Sequence, residues 1–186
     1  MSGIIAQNTL DNSGVIKAQA GGGAWTFIKK LTASGDSDLT MVNGTDDVVL
    51  DSTYKVYLFT FNNIHPSIND TRLEFNLSDD TGSTFAATKT TTCIRSEYNE
   101  TGGTPLLDYH TGLDLAQSTS NQPLGSSLGS DSDQNTSGWL ELYEPSSTTY
   151  VKHFMARVNE TNYNDSIFDC LYGGYANTTS AIDGIK

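Results

Sequence analysis

From Trp25 onward, the apolar residues of this chain fall in short runs bounded by turn clusters instead of recurring at helical spacing, the pattern of an all-β domain. The runs predict strands at 25–31, at 39–42 and 48–50 around an Asn43-Gly44 hairpin turn, and at 55–61. The segment Lys55 to Phe61 is apolar on both faces and reads as a central strand. Arg72 to Leu77 alternates instead, sending Leu73, Phe75 and Leu77 inward and Arg72, Glu74 and Asn76 to solvent. Further runs at 89–95, 139–143, 150–158, 167–172 and 181–186 bring the expectation to eight to ten strands.

Two stretches break this pattern. Residues 1–23 carry only isolated apolar pairs, Ile4-Ile5 and Val15-Ile16, and end in Gly21-Gly22-Gly23. Such a segment cannot bury itself, so the expectation is an extended N-terminal arm whose Ile4, Ile5, Val15 and Ile16 contact a neighbouring chain, with the three glycines as a hinge. The domain proper then runs over 24–186. Residues from about 100 to 137 are polar, rich in Gly, Ser and Asp and interrupted by Pro105 and Pro123, and read as one long loop serving an exposed function or a subunit contact.

Composition narrows the function classes. Ser, Thr, Asn, Asp and Gly dominate the polar share, which reinforces the β reading. The formal net charge of −12 argues against a nucleic-acid partner, because phosphate binding draws on Lys and Arg. It suits a protein exposed to medium at high local density. No run approaches a membrane span, and the first residues lack the basic and apolar regions of a secretory leader. Assembly in a cytoplasm follows as the expectation. Eight Asn-x-Ser/Thr sequons then read as by-products of Asn- and Thr-rich turns. Cys93 and Cys170 lie in strand-like sequence and read as two reduced core thiols, with a disulfide between them the alternative.

Candidate chemistry is sparse. His65, His110 and His153 show no ligand-pair spacing, so no metal and no cofactor is expected. Asp131, Asp133 and Asn135 alternate like the opening of a calcium loop, but Thr136 stands where that loop needs glycine and Leu142 where it needs an acid. They remain a candidate glycan or ion loop. No nucleophile elbow or phosphate-cradling glycine loop occurs, and a carboxylate pair drawn from Glu74, Glu141 or the aspartates is one choice among too many acids to be informative. No catalytic residue is expected. Trp25, Trp139 and the tyrosines read first as core, with a sugar-stacking platform as the rival reading.

Several segments taken in order resemble small virion structural proteins of tailed bacteriophages, marine phages among them. These are Ser13 to Lys17, Gly22 to Thr26, Ser52 to Tyr57, Phe61 to Pro66, Leu142 to Ser147, Gly173 to Tyr175 and Ala181 to Ile185. The resemblance implies a jelly-roll-like antiparallel β-sandwich without enzymatic activity, on the virion surface as a capsid decoration or tail-fibre component. It implies a symmetric homo-oligomer, a trimer being one form, held to other virion proteins such as the major capsid or tail protein. The alternative is a fibre-tip module that recognises host glycans. Look-alike chains continue past the Ala181 to Ile185 stretch into one more strand. An ending at Lys186 fits a trimmed domain, a longer chain or a strand supplied by a neighbour; in the last case the sheet edge near Lys186 is open, and residues 1–20 of a neighbouring copy are one candidate to fill it.

Overall fold

A computed structural model describes residues 25–186. The chain divides into two units, 1–30 and 31–186, and every described strand belongs to the second. Trp25 to Lys30 form no strand, and Trp25 and Phe27 are exposed, so the strand expected at 25–31 is absent. The arm contacts Ile4, Ile5, Val15 and Ile16 and the hinge glycines Gly21, Gly22 and Gly23 lie outside the described residues.

Eleven strands follow, with no helix among the described residues: β1 (Met41–Val42), β2 (Val56–Ile64), β3 (Thr71–Phe75), β4 (Leu77–Ser78), β5 (Lys89–Asn99), β6 (Leu106–Tyr109), β7 (Gln122–Leu128), β8 (Thr136–Tyr143), β9 (Lys152–Thr161), β10 (Ser166–Ala176) and β11 (Gly184–Ile185). All pair antiparallel. One layer is a six-stranded sheet in the order β2-β8-β9-β10-β5-β6; facing it are a β3-β7 pair and a short β1-β11-β4 sheet. This is an all-β sandwich. Its core joins Leu140, Leu142, Phe154, Ala156, Val158, Phe168, Cys170 and Tyr172 of the large sheet to Phe75, Leu77, Leu124, Ile182 and Ile185 opposite. Phe75 and Phe154 meet edge to face at 5.1 Å across the two layers.

Strand period explains most of the burial. Along β9, Phe154, Ala156 and Val158 point inward while His153, Met155, Arg157 and Asn159 point out. Cys93 and Cys170 occupy inward positions on neighbouring strands and are free thiols.

Several expectations are corrected. β2 lies at an edge of the large sheet, not at its centre, because apolar residues on both faces of a strand do not reveal how many neighbours it has. Asn43 and Gly44 do make a turn, but β1 pairs with β11, and residues 48–50 form no strand. Asn76 is buried, not solvated: its carboxamide donates to Thr119 O and Asn121 Oδ1 and accepts from Leu77 N–H and the Lys89 ammonium. The stretch 100–137 is not one loop, since it supplies β6 and β7. No open edge faces Ile185: β11 is the middle strand of its sheet, paired with both β1 and β4 of its own chain.

Candidate functional site

The outer face of the six-stranded sheet is the surface on which the sequence departs most from expectation. A half-buried strand should present polar residues to solvent. Here Ile94 and Tyr98 on β5, Leu107 and Tyr109 on β6, and Ile167 and Leu171 on β10 are between 40% and 75% exposed. Register makes them one patch. Ile94 lies opposite both Leu171 and Tyr109, Tyr98 lies opposite Ile167, and Leu107 lies opposite Ser96 between Ile94 and Tyr98. Scattered exposed apolar side chains are ordinary; six contiguous ones across three strands are not.

Inward-facing groups hold this edge in place. The Arg95 guanidinium lies 4.8 Å above the Phe168 ring, and its Nε donates to Asp108 of β6 at 3.4 Å. A second Arg95 nitrogen stands 3.3 Å from Glu97. On the outer side, the Tyr109 hydroxyl donates to Asp114 at 2.6 Å, a bond that pushes its pKa up.

Toward β8 the same face becomes polar around an indole. Ser137, Gly138 and Trp139 of β8, Arg157 and Asn159 of β9, and Asp169 of β10 line a shallow cleft of about 290 Å³. Outward parity is forced on Trp139, because its neighbours Leu140 and Leu142 are the core residues of that strand. Trp139 therefore stands half-buried opposite Arg157 instead of in the core. Arg157 donates from Nε and Nη2 to the two Asp169 oxygens at 2.9 and 2.7 Å, which raises its pKa further and closes the charge of the pair. Gly138 lets β8 run close to β9, since a Cβ there would sit 2.2 Å from the Arg157 carbonyl oxygen.

The other expected positions do not converge. Asp131 and Asp133 are exposed in a turn closed by Gln134 N–H to Asp131 O and by Asp131 N–H to Gln134 Oε1. The His65 ring lies 3.1 Å from Asp131 O. Asn135 uses its carbonyl to accept Thr161 N–H. Glu74, on β3, accepts from Asn121, and Glu141, on β8, accepts from Tyr143, so the two stand in opposite layers. Among the described residues no group of three or more His, Cys, Asp or Glu is placed to hold a metal ion.

Besides Arg95, sequence reasoning missed three buried charges. Lys152, at the start of β9, donates from Nζ to Thr178 O at 3.1 Å and also to Ser180 O. Lys89 donates to Asn76 Oδ1 at 2.5 Å and to Ala87 O at 2.8 Å, and burial lowers its pKa to about 8. Glu160 is buried with one oxygen unpartnered among the described residues. Lys89, Lys152 and Glu160 share inward strand parity with Cys93, Phe154 and Val158, and that was the available signal.

In comparison with known proteins, the chain matches no family model, no curated protein and no solved structure.

Proposed function

We propose that the chain is a non-enzymatic structural protein of a bacteriophage virion, a surface accessory of the capsid-decoration or fibre kind, that packs against further copies of itself. The observation that carries this reading is the contiguous apolar patch of Ile94, Tyr98, Leu107, Tyr109, Ile167 and Leu171. Chains bearing a net charge of −12 repel one another unless they meet on uncharged ground. The patch offers most of that ground: Asp169, which lies within it opposite Ser96, is paired with Arg157, and Asp114 at its rim accepts from the Tyr109 hydroxyl. An isologous contact requires a surface complementary to itself, which a neutral apolar patch satisfies and a charged one does not. A jelly-roll path for the sandwich and attachment to a shell or tail protein through residues 1–23 belong to the same proposal.

The test is quantitative mass spectrometry of purified particles from an infected culture. A fixed stoichiometry to the main shell protein supports the reading, with hundreds of copies meaning shell decoration and a dozen or so meaning tail or fibre. Recovery of the protein only in the lysate, outside particles, overturns it.

A further inference from the structure

We infer that the cleft beside Trp139 is a saccharide-binding site for a neutral hexopyranose unit of a polysaccharide. The placement of its groups carries the inference. An indole on a sheet face is a flat apolar platform against which the C–H face of a pyranose ring packs, while the rim of the sugar presents hydroxyls that must find partners as they leave water. The polar groups here stand where such a rim would lie, within one register step of the indole. Arg157 is directly opposite Trp139, Ser137 is two residues along the same strand, and Asn159 is directly opposite Ser137 and Asp169.

Their hydrogen-bonding capacity is only partly used. Arg157 has five N–H donors and spends two on Asp169. The Ser137 hydroxyl accepts the Asn63 backbone N–H at 3.0 Å and keeps its own proton to donate. Among the described residues the exposed Asn159 carboxamide makes no hydrogen bond, so both its carbonyl oxygen and its amide nitrogen face solvent. A carboxamide and an ion pair side by side supply donors and acceptors together, which is what adjacent hydroxyls, each both donor and acceptor, require.

Charge selects the class. The cleft holds one cation and one anion bound to each other, in a chain of net charge −12. An acidic sugar would have to break the Arg157–Asp169 pair and approach an acidic molecule; a neutral one does neither. The rigid backing of β8, β9 and β10 pre-forms the cleft, so binding orders little besides the sugar. A shallow, open cleft of this size covers one or two sugar units, which places affinity on the order of millimolar for a single site. Repetition of the site over copies on a particle would raise it through avidity.

The experiment is saturation-transfer NMR on the full chain with oligosaccharides derived from dextran, galactan and mannan, and a uronate oligosaccharide as the acidic arm. The Trp139 indole N–H signal is followed in parallel. At least one neutral oligosaccharide is expected to bind and shift that signal. Trp139→Ala is expected to weaken binding by about tenfold or more, from loss of the stacking surface. Asn159→Ala, an exposed position that leaves the core untouched, serves as the second variant should Trp139→Ala fail to fold. No binding by any neutral member, binding of the uronate alone, or neutral binding unchanged in both variants overturns the inference. The stoichiometry of the protein in particles is measured separately and does not depend on this result.

Discussion

Gly125 stands against the buried carboxylate of Glu160 so closely that a Cβ on it would lie 1.9 Å from Oε2. The contact joins the two layers of the sandwich, since Gly125 is in β7 and Glu160 in β9. Around it, Glu160 Oε1 accepts the backbone N–H groups of Ser126 at 2.7 Å and Ser127 at 3.2 Å, and Gly125 N–H donates to the Tyr172 hydroxyl at 2.7 Å. Gly125 also adopts φ +112°, which side-chain-bearing residues rarely do. Gly125→Ala therefore meets a steric and a conformational penalty together. A loss of about 3 kcal/mol in urea-unfolding stability is expected; a change below about 0.5 kcal/mol would mean that β7 shifts freely away from β9.

The same carboxylate sets an acid-side pH dependence. Burial pushes the Glu160 pKa up from 4.5, and the Ser126 and Ser127 N–H groups only partly offset that. The native state thus holds this proton more tightly than the unfolded chain. Stability from this group is fully present below about pH 4.5 and is lost as pH rises through the raised native value. Asp51 and Asp80 act with the opposite sign and in a lower window. Hydrogen bonds from Thr53 and from Thr84 lower their pKa values below 3.8, so their contribution is lost only as pH falls past that range. Glu160→Gln cannot titrate. Its urea midpoint, followed from pH 4.5 to 7, is expected to lack the decline seen in the parent chain; equal slopes in the two proteins would assign the decline to another group.

The strand plan was legible because it rests on a local period. Leu140 and Leu142 on β8, or Phe154, Ala156 and Val158 on β9, announce their inward parity within a few residues. The same period, carried one position further, places Trp139 on the outer face, where a reading by residue type puts it in the core. What local pattern cannot show is where a partner comes from. Lys152 is tolerated at an inward position because Thr178 and Ser180 carbonyls meet its ammonium, and Glu160 because Ser126 and Ser127 amides meet its carboxylate. Those partners lie 26 to 34 residues away in sequence. Edge or centre is likewise a non-local property, which is why β2 looked central. Ile94, Tyr98, Ile167 and Leu171 were each visible as apolar residues on strands; only the β5-β10 register turns them into a surface.

That surface gives a direct test of self-association. Ile94 and Leu171 face each other across β5 and β10 in the row of the patch that also holds Tyr109, 48% and 44% exposed. Replacing both with Lys puts two strongly hydrated like charges on each copy of the apolar ground that an isologous contact would bring together. Sedimentation velocity over a range of concentrations should show the parent chain associating and Ile94→Lys/Leu171→Lys dissociating at least about tenfold more readily, or ~1.4 kcal/mol per contact. Unfolding midpoints should stay close to the parent value, because both side chains point away from the core. A parent chain that remains monomeric at the highest concentration would remove the patch as a self-contact.

Lys89 provides the alkaline counterpart to Glu160. It is fully buried on β5, its ammonium held by Asn76 Oδ1 and the Ala87 carbonyl with no carboxylate at ion-pair distance among the described residues. Burial lowers its pKa from 10.5 to about 8. The unfolded chain therefore binds this proton more tightly than the native one, and stability rises with pH from about 8 toward 10.5. The buried phenols of Tyr57 and Tyr172 oppose the rise above pH 10, since burial raises their pKa values and ionisation would favour unfolding. The buried Cys170 thiol, pushed up from 9.0 by its contact with Cys93 and by burial, opposes it already from about pH 9, so the clear window is from about 8 to just under 9. Lys89→Met keeps the stem's packing and removes the titrating group, at the cost of leaving the Ala87 carbonyl without its ammonium donor. Urea unfolding of this variant is expected to show lower stability at pH 7 and no increase between pH 8 and just under 9, where the parent chain gains; a parallel increase in both proteins would mean that the Lys89 ammonium stays charged in the native state throughout.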